Sequence, residues 1–145
     1  MLARALWVGL ALALVAADDE ADRTAKQDLE RMHGTWVAVR YVVAGKSAAD
    51  QDLGRIELTV KGTRSAITRF GEKFMGRYRL DAGKTPKQLD ILLDDGPNKG
   101  QKYLSIYEFD GGTLKICRAE VGKPRPTSFE STAENGQVLE VWKKK

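Results

Sequence analysis

Cysteine and histidine occur once each, as Cys117 and His33, in a chain of 145 residues. A single thiol forms no internal disulfide, so stability has to come from packing. One imidazole builds neither a histidine-based metal site nor a triad unless an oriented partner stands beside it, and the sequence names none. Charge of one sign is also in short supply. The formal net charge is only +4, and Lys143, Lys144 and Lys145 at the terminus carry most of it, which argues against a surface built for polyanions. The glycine-rich stretch Gly96-Pro97-Asn98-Lys99-Gly100 lacks the Gly-Lys-Ser/Thr ending of a phosphate loop. Counted from Asp94, the twelfth position is Ser105, where a calcium loop needs glutamate. A hairpin turn accounts for the same residues.

The apolar run from Ala5 to Ala17 is flanked by Arg4 and by Asp18-Asp19-Glu20. It is short of the roughly 20 residues that a spanning helix requires. One positive charge, an apolar core and small residues before an acidic start instead predict a signal peptide over residues 1–17, cut after Ala17. An uncleaved anchor is the competing reading. No cysteine follows the run, which argues against lipid attachment. Residues 18–32 are charge-rich, with Ala25, Leu29 and Met32 spaced four and three apart, and predict one short helix.

From residue 33 onward the apolar period changes to two. "RIELTV", "FMGRYRL" and "QLDILL" alternate, and turn chemistry recurs at Ala44-Gly45, Lys61-Gly62, Phe70-Gly71, Asp81-Ala82-Gly83, Asp95-Gly96-Pro97, Asp110-Gly111-Gly112, Gly122-Lys123-Pro124 and Asn135-Gly136. Nine extended segments follow, at about 35–43, 54–61, 64–70, 73–80, 88–94, 102–109, 113–120, 127–133 and 137–143. So many short strands, each with one apolar face, leave edges and an uncovered face unless the sheet closes. The predicted fold is therefore an all-β, antiparallel up-and-down barrel of eight or nine strands over residues 33–145, with the short helix covering one end. A two-sheet sandwich is the structural competitor.

"HGTWV" opens the first strand. Gly34-Thr35-Trp36 resembles the Gly-x-Trp signature of lipocalins, in which the indole plugs the closed end of the barrel. Further on, the stretch from Thr85 to Ser131 contains "PKQLD", "DDGP", "SIYEF", "LKIC" and "GKPRPTSF". It resembles a planctomycete domain family regarded as lipocalin-like, whose members occur as exported proteins or attached to other domains and have no established activity. Taken with the Gly-Thr-Trp start, the resemblance covers nearly all of residues 18–145. Its signature positions here are Gly34, Thr35, Trp36, Cys117, Arg125 and Pro126. Ser105 departs from the family's glycine before Ile-Tyr, and Met32-His33 from its Leu-Gln before Gly34.

The candidate inward residues are Trp36, Ile56, Leu58, Phe74, Tyr78, Ile91, Leu93, Ile106 and Leu114, which form the barrel core or, if the interior is not filled, line an apolar pocket. Alternation places Cys117 on the face of Lys115 and Ala119, opposite Leu114 and Ile116, as a small half-buried residue rather than a thiol activated by Lys115 or Arg118. Pro124 and Pro126 stiffen the backbone around Arg125, whose guanidinium either meets an anionic ligand or lies over the Trp36 ring. Basic and aromatic residues interleave in "GRYRL" and "QKYLSIY", but nine segments do not match a five-stranded oligonucleotide-binding barrel, and nucleic acid is not expected.

The expected function is that of an exported protein of the periplasm, envelope or exterior, binding a small apolar ligand or lipid. Catalysis, a cofactor and stable membrane insertion are not expected. A filled barrel serving as a structural or protein-interaction module is the alternative.

Overall fold

A computed structural model describes the backbone of residues 3–145 and the side chains from Ala16 onward. Helix α1 (Ala3–Met32) leads into β1 (Gly34–Val43). There follow β2 (Lys46–Ser47), the short α2 (Asp50–Leu53), β3 (Glu57–Lys61), β4 (Arg64–Arg69), β5 (Glu72–Asp81), β6 (Lys87–Leu93), β7 (Lys102–Asp110), β8 (Thr113–Arg118) and β9 (Val138–Lys144). Apart from the two-residue β2, each strand pairs antiparallel with its neighbour in sequence, and β9 pairs back onto β1. The result is a closed eight-stranded up-and-down barrel with β2 as an extra ribbon on β1. Among the described residues the strands leave no free edge except at that ribbon, so closure removes the liability that period-two sequences create.

One expected strand is absent. Residues 127–133 form no strand; they belong to the long loop between β8 and β9. That loop lies against the outside of the barrel, where the half-buried Phe129 packs on Val42, Ile106, Cys117, Leu139 and Val141. Ile106 is accordingly not an inward residue. Its register partner is Cys117, which pairs with Leu139, and all three sit on the outer wall beneath the loop. Ile106 looked inward in sequence because a covered outer wall is as apolar as a core, and alternation alone does not tell the two faces apart.

The interior divides into a packed end and an open end. At the packed end Met32, Trp36, Leu58, Val60, Leu89, Tyr107, Leu114, Ile116 and Trp142 form one buried cluster. The Trp36 indole donates to the Met32 carbonyl at 2.7 Å, which ties the last turn of α1 to the barrel floor. Gly34, between them, has φ +121°, a backbone conformation that a side chain disfavours. Asp28 of α1 is buried and accepts from Tyr107 Oη and from Lys87 Nζ, both at 2.8 Å. A charge taken from water needs such partners, and here they anchor the helix to β6 and β7. Arg31 stacks 3.8 Å above the Phe109 ring, and Leu29 packs on the same cluster.

The expected signal peptide falls mostly on residues whose side chains lie outside those described. Among the described residues no helix is long and apolar enough to cross a membrane.

Candidate ligand cavity

The open end is ringed by the β1–β3 connection, the Phe70-Gly71 turn, the loop between β6 and β7, and the loop after β8. Within it lies a cavity of about 210 Å³. Its apolar wall comes from Leu58, Ile67, Phe74, Tyr78, Ile91 and Leu93. The register explains this grouping: Leu58 faces Ile67, Ile67 faces Phe74, and Tyr78 faces Ile91 across successive strands. Gly76 belongs to the same wall, and a Cβ there would lie 3.0 Å from the Leu92 carbonyl oxygen and 3.1 Å from Ile91 Cγ2. The bare backbone keeps β5 and β6 close.

Five of the sequence candidates thus line the cavity: Leu58, Phe74, Tyr78, Ile91 and Leu93. Trp36, Ile56 and Leu114 are buried in the core cluster and do not line it. Arg125 is elsewhere. Its guanidinium donates to the Ser105 carbonyl at 2.7 Å and to Asp90 Oδ1 at 2.6 Å, which pins the β8–β9 loop to the wall at β6 and β7. It does not cover Trp36; Lys144 does, with Nζ 5.3 Å from the ring centroid. Cys117 donates toward Glu130 O and Gln137 Oε1 at 3.6 Å. Burial pushes its thiol up to about 11, so the reactive-thiol reading is not favoured by its surroundings. His33 is exposed. Among the described residues no three metal-binding side chains cluster.

What sequence reasoning passed over is the polar wall opposite. Arg118 on β8 and Glu140 on β9 both face inward and are 8 % and 4 % exposed. They form an ion pair at 2.9 Å, Nε to Oε1. Glu140 Oε2 also accepts from the Trp142 indole at 3.3 Å, and Arg118 Nη2 donates to the Tyr41 hydroxyl at 3.2 Å. Arg69, from the end of β4, donates to the same hydroxyl from the other side. The Tyr103 ring lies 4.5 Å beneath the Arg118 guanidinium, and Phe74 lies 4.8 Å from that of Arg69.

Burial opposes the charge on Arg118, but Glu140, Tyr41 and Tyr103 outweigh it, and the net displacement of its pKa is upward. Burial, with the nearby Glu140 charge second, raises the pKa of both Tyr41 and Tyr78, which keeps these phenols neutral. A signal for the pair existed. Arg118 continues the inward row of Leu114 and Ile116, and Glu140 lies between Val138 and Trp142 on one face. Charge at those positions reads as surface unless alternation is followed to the strand's end.

A shallower depression outside the mouth shares Arg69, Asn98, Tyr103 and Arg118 with the cavity. These four residues form the rim between inside and outside. Chemically the site offers an apolar trough closed on one side by two guanidiniums and a buried carboxylate. Comparison of the chain with protein-family models, curated proteins and solved structures finds no match.

Proposed function

We propose that this barrel is an exported binding protein that holds a small, largely apolar ligand in its upper half. The observation that carries the reading is the cavity of about 210 Å³ walled by Leu58, Ile67, Phe74, Tyr78, Ile91 and Leu93, in a barrel whose lower half is tightly packed. A row of inward side chains that stops short of filling one end leaves apolar surface that a ligand can cover. The volume is below the roughly 300 Å³ at which pockets for drug-sized molecules begin, so the occupant is small or projects from the mouth.

Export rests on the sequence: Arg4, the apolar run to Ala17 and the acidic start at Asp18 have the order of a signal peptide. The resemblance to the lipocalin-like planctomycete family, whose members occur as exported proteins, agrees with export; that family has no established activity, and the binding role rests on the cavity alone. The alternative, a filled barrel that acts through its surface, draws on the packing around Trp36, Tyr107 and Trp142.

Native mass spectrometry of protein purified from its own host separates the two. A co-purifying mass that disappears in Leu93→Trp, which fills the cavity, supports binding. A bare mass for the unaltered protein, with no thermal shift from any of a panel of short-chain lipids, favours the interaction module.

A further inference from the structure

Resting on that binding reading, we infer that the ligand carries a carboxylate, which Arg69 receives at the mouth of the cavity while the apolar remainder lies against Ile67, Phe74 and Ile91. The inference comes from an imbalance among the charges at the rim. Of the two guanidiniums lining the cavity, Arg118 has a carboxylate partner in Glu140. Arg69 has none in ion-pair contact among the described residues, and its hydrogen bond is to a neutral phenol, Tyr41. Asp95 also lines the cavity, but its Oδ1 accepts from the Met75 amide at 3.0 Å and the carboxylate makes no ion pair with Arg69 among the described residues.

Arg69 is only half buried, whereas Arg118 is almost wholly buried. An entering anion therefore meets Arg69 first and need not displace the Glu140 pair. Its guanidinium has several donors and the Tyr41 hydroxyl occupies Nη1, which leaves the remaining N–H groups for a planar, two-oxygen acceptor. Phe74, 4.8 Å away, steadies the guanidinium plane without consuming those donors. The arrangement of an apolar trough ending at an uncompensated guanidinium suits an amphiphile with one anionic end, and a neutral ligand would leave Arg69 as it is.

The test compares octanoate with 1-octanol, which share a chain and differ in the head group. Binding is read by displacement of an environment-sensitive fluorescent probe on the full folded chain at neutral pH. The expected result is octanoate bound at least tenfold more tightly than 1-octanol. Arg69→Gln should abolish that preference by weakening octanoate at least tenfold more than 1-octanol, and Arg69→Lys should keep part of it, with circular dichroism confirming that both variants fold. Equal affinity for the two probes, or a preference that survives Arg69→Gln, overturns the carboxylate assignment and leaves the cavity reading standing. Failure of both probes to bind overturns the two together.

Discussion

Tyr41 and Arg118 meet across the inside of the barrel, the phenol oxygen 3.2 Å from Nη2, with Glu140 holding the other edge of the same guanidinium at 2.9 Å. Neither partner reaches solvent to an appreciable degree. A buried charge is tolerated only while its partners are in place, and removing one costs more than the pair itself contributes.

Glu140→Gln follows from that relation. The substitution keeps the shape and the hydrogen-bonding capacity toward the Trp142 indole but leaves the Arg118 charge unopposed inside the barrel. The expected loss is about 3–5 kcal/mol in urea unfolding. Replacing both residues together, Arg118→Met with Glu140→Leu, should recover most of it, because no charge then remains to be solvated. A single-variant loss under about 1 kcal/mol would mean that the pair is hydrated and the upper interior wet.

Cys117 provides a pH prediction. Its pKa is raised by burial to about 11 in the folded chain, against 9.0 for an ordinary exposed thiol. Unfolding therefore releases the thiol to ionise more easily. The stability associated with the buried thiol is fully present below about pH 9 and is lost as pH rises toward 11. Tyr41, Tyr78 and Tyr107, also displaced upward by burial, act in the same direction at higher pH. The isolated cysteine contribution is the difference between the unaltered protein and Cys117→Val. The gap between their unfolding free energies should shift in favour of the valine variant above pH 9. Alkylation by iodoacetamide at pH 8 should be slow until denaturant is added, and rapid labelling of the folded protein would show an open outer wall.

The barrel class was legible because period two, interrupted by glycine turns, runs through eight of the nine expected segments. The ninth, 127–133, was misread because an apolar loop residue such as Phe129 covers a wall much as a strand residue would. Leu58, Phe74, Tyr78, Ile91 and Leu93 are ordinary inward residues of their strands and were found by alternation. Arg69, Arg118 and Glu140 were not, since charge at a strand end ordinarily marks water. Ser105, the departure from glycine, turned out to be fully buried with a hydroxyl that finds no partner among the described residues. No short-range pattern distinguishes such a serine from an exposed one.

Arg125 holds the β8–β9 loop through Asp90 and two strand carbonyls, Ser105 and Leu89. Arg125→Ala should therefore loosen residues 119–137 and leave the barrel intact. Hydrogen exchange in that loop should rise while exchange in β5 and β6 is unchanged, with a global cost of about 1–3 kcal/mol for the charged hydrogen bonds lost. Because the guanidinium is remote from the cavity, affinity for octanoate should stay within about twofold of the unaltered protein. A large loss of binding would instead place Arg125 in the ligand's path.

The last prediction concerns the strand that brings Tyr41 inward. Strict alternation from Trp36 and Ala38 would point Arg40 into the barrel and Tyr41 away from it. The pairing of β1 with β9 slips between Ala38 and Arg40, so that Val39 is an extra residue, 40 % exposed, in a bulge. After it Tyr41 joins the inner cluster and Val42 the outer one. Two substitutions read this directly. Arg40→Ala should change stability by less than about 0.5 kcal/mol, as expected of an exposed position. Tyr41→Phe, which removes only one oxygen, should cost about 1–3 kcal/mol, because Arg118 and Arg69 both lose the acceptor they share. If the two costs are reversed, the strand runs without its bulge, Arg40 occupies the interior, and the polar wall described for the cavity is assembled from different residues.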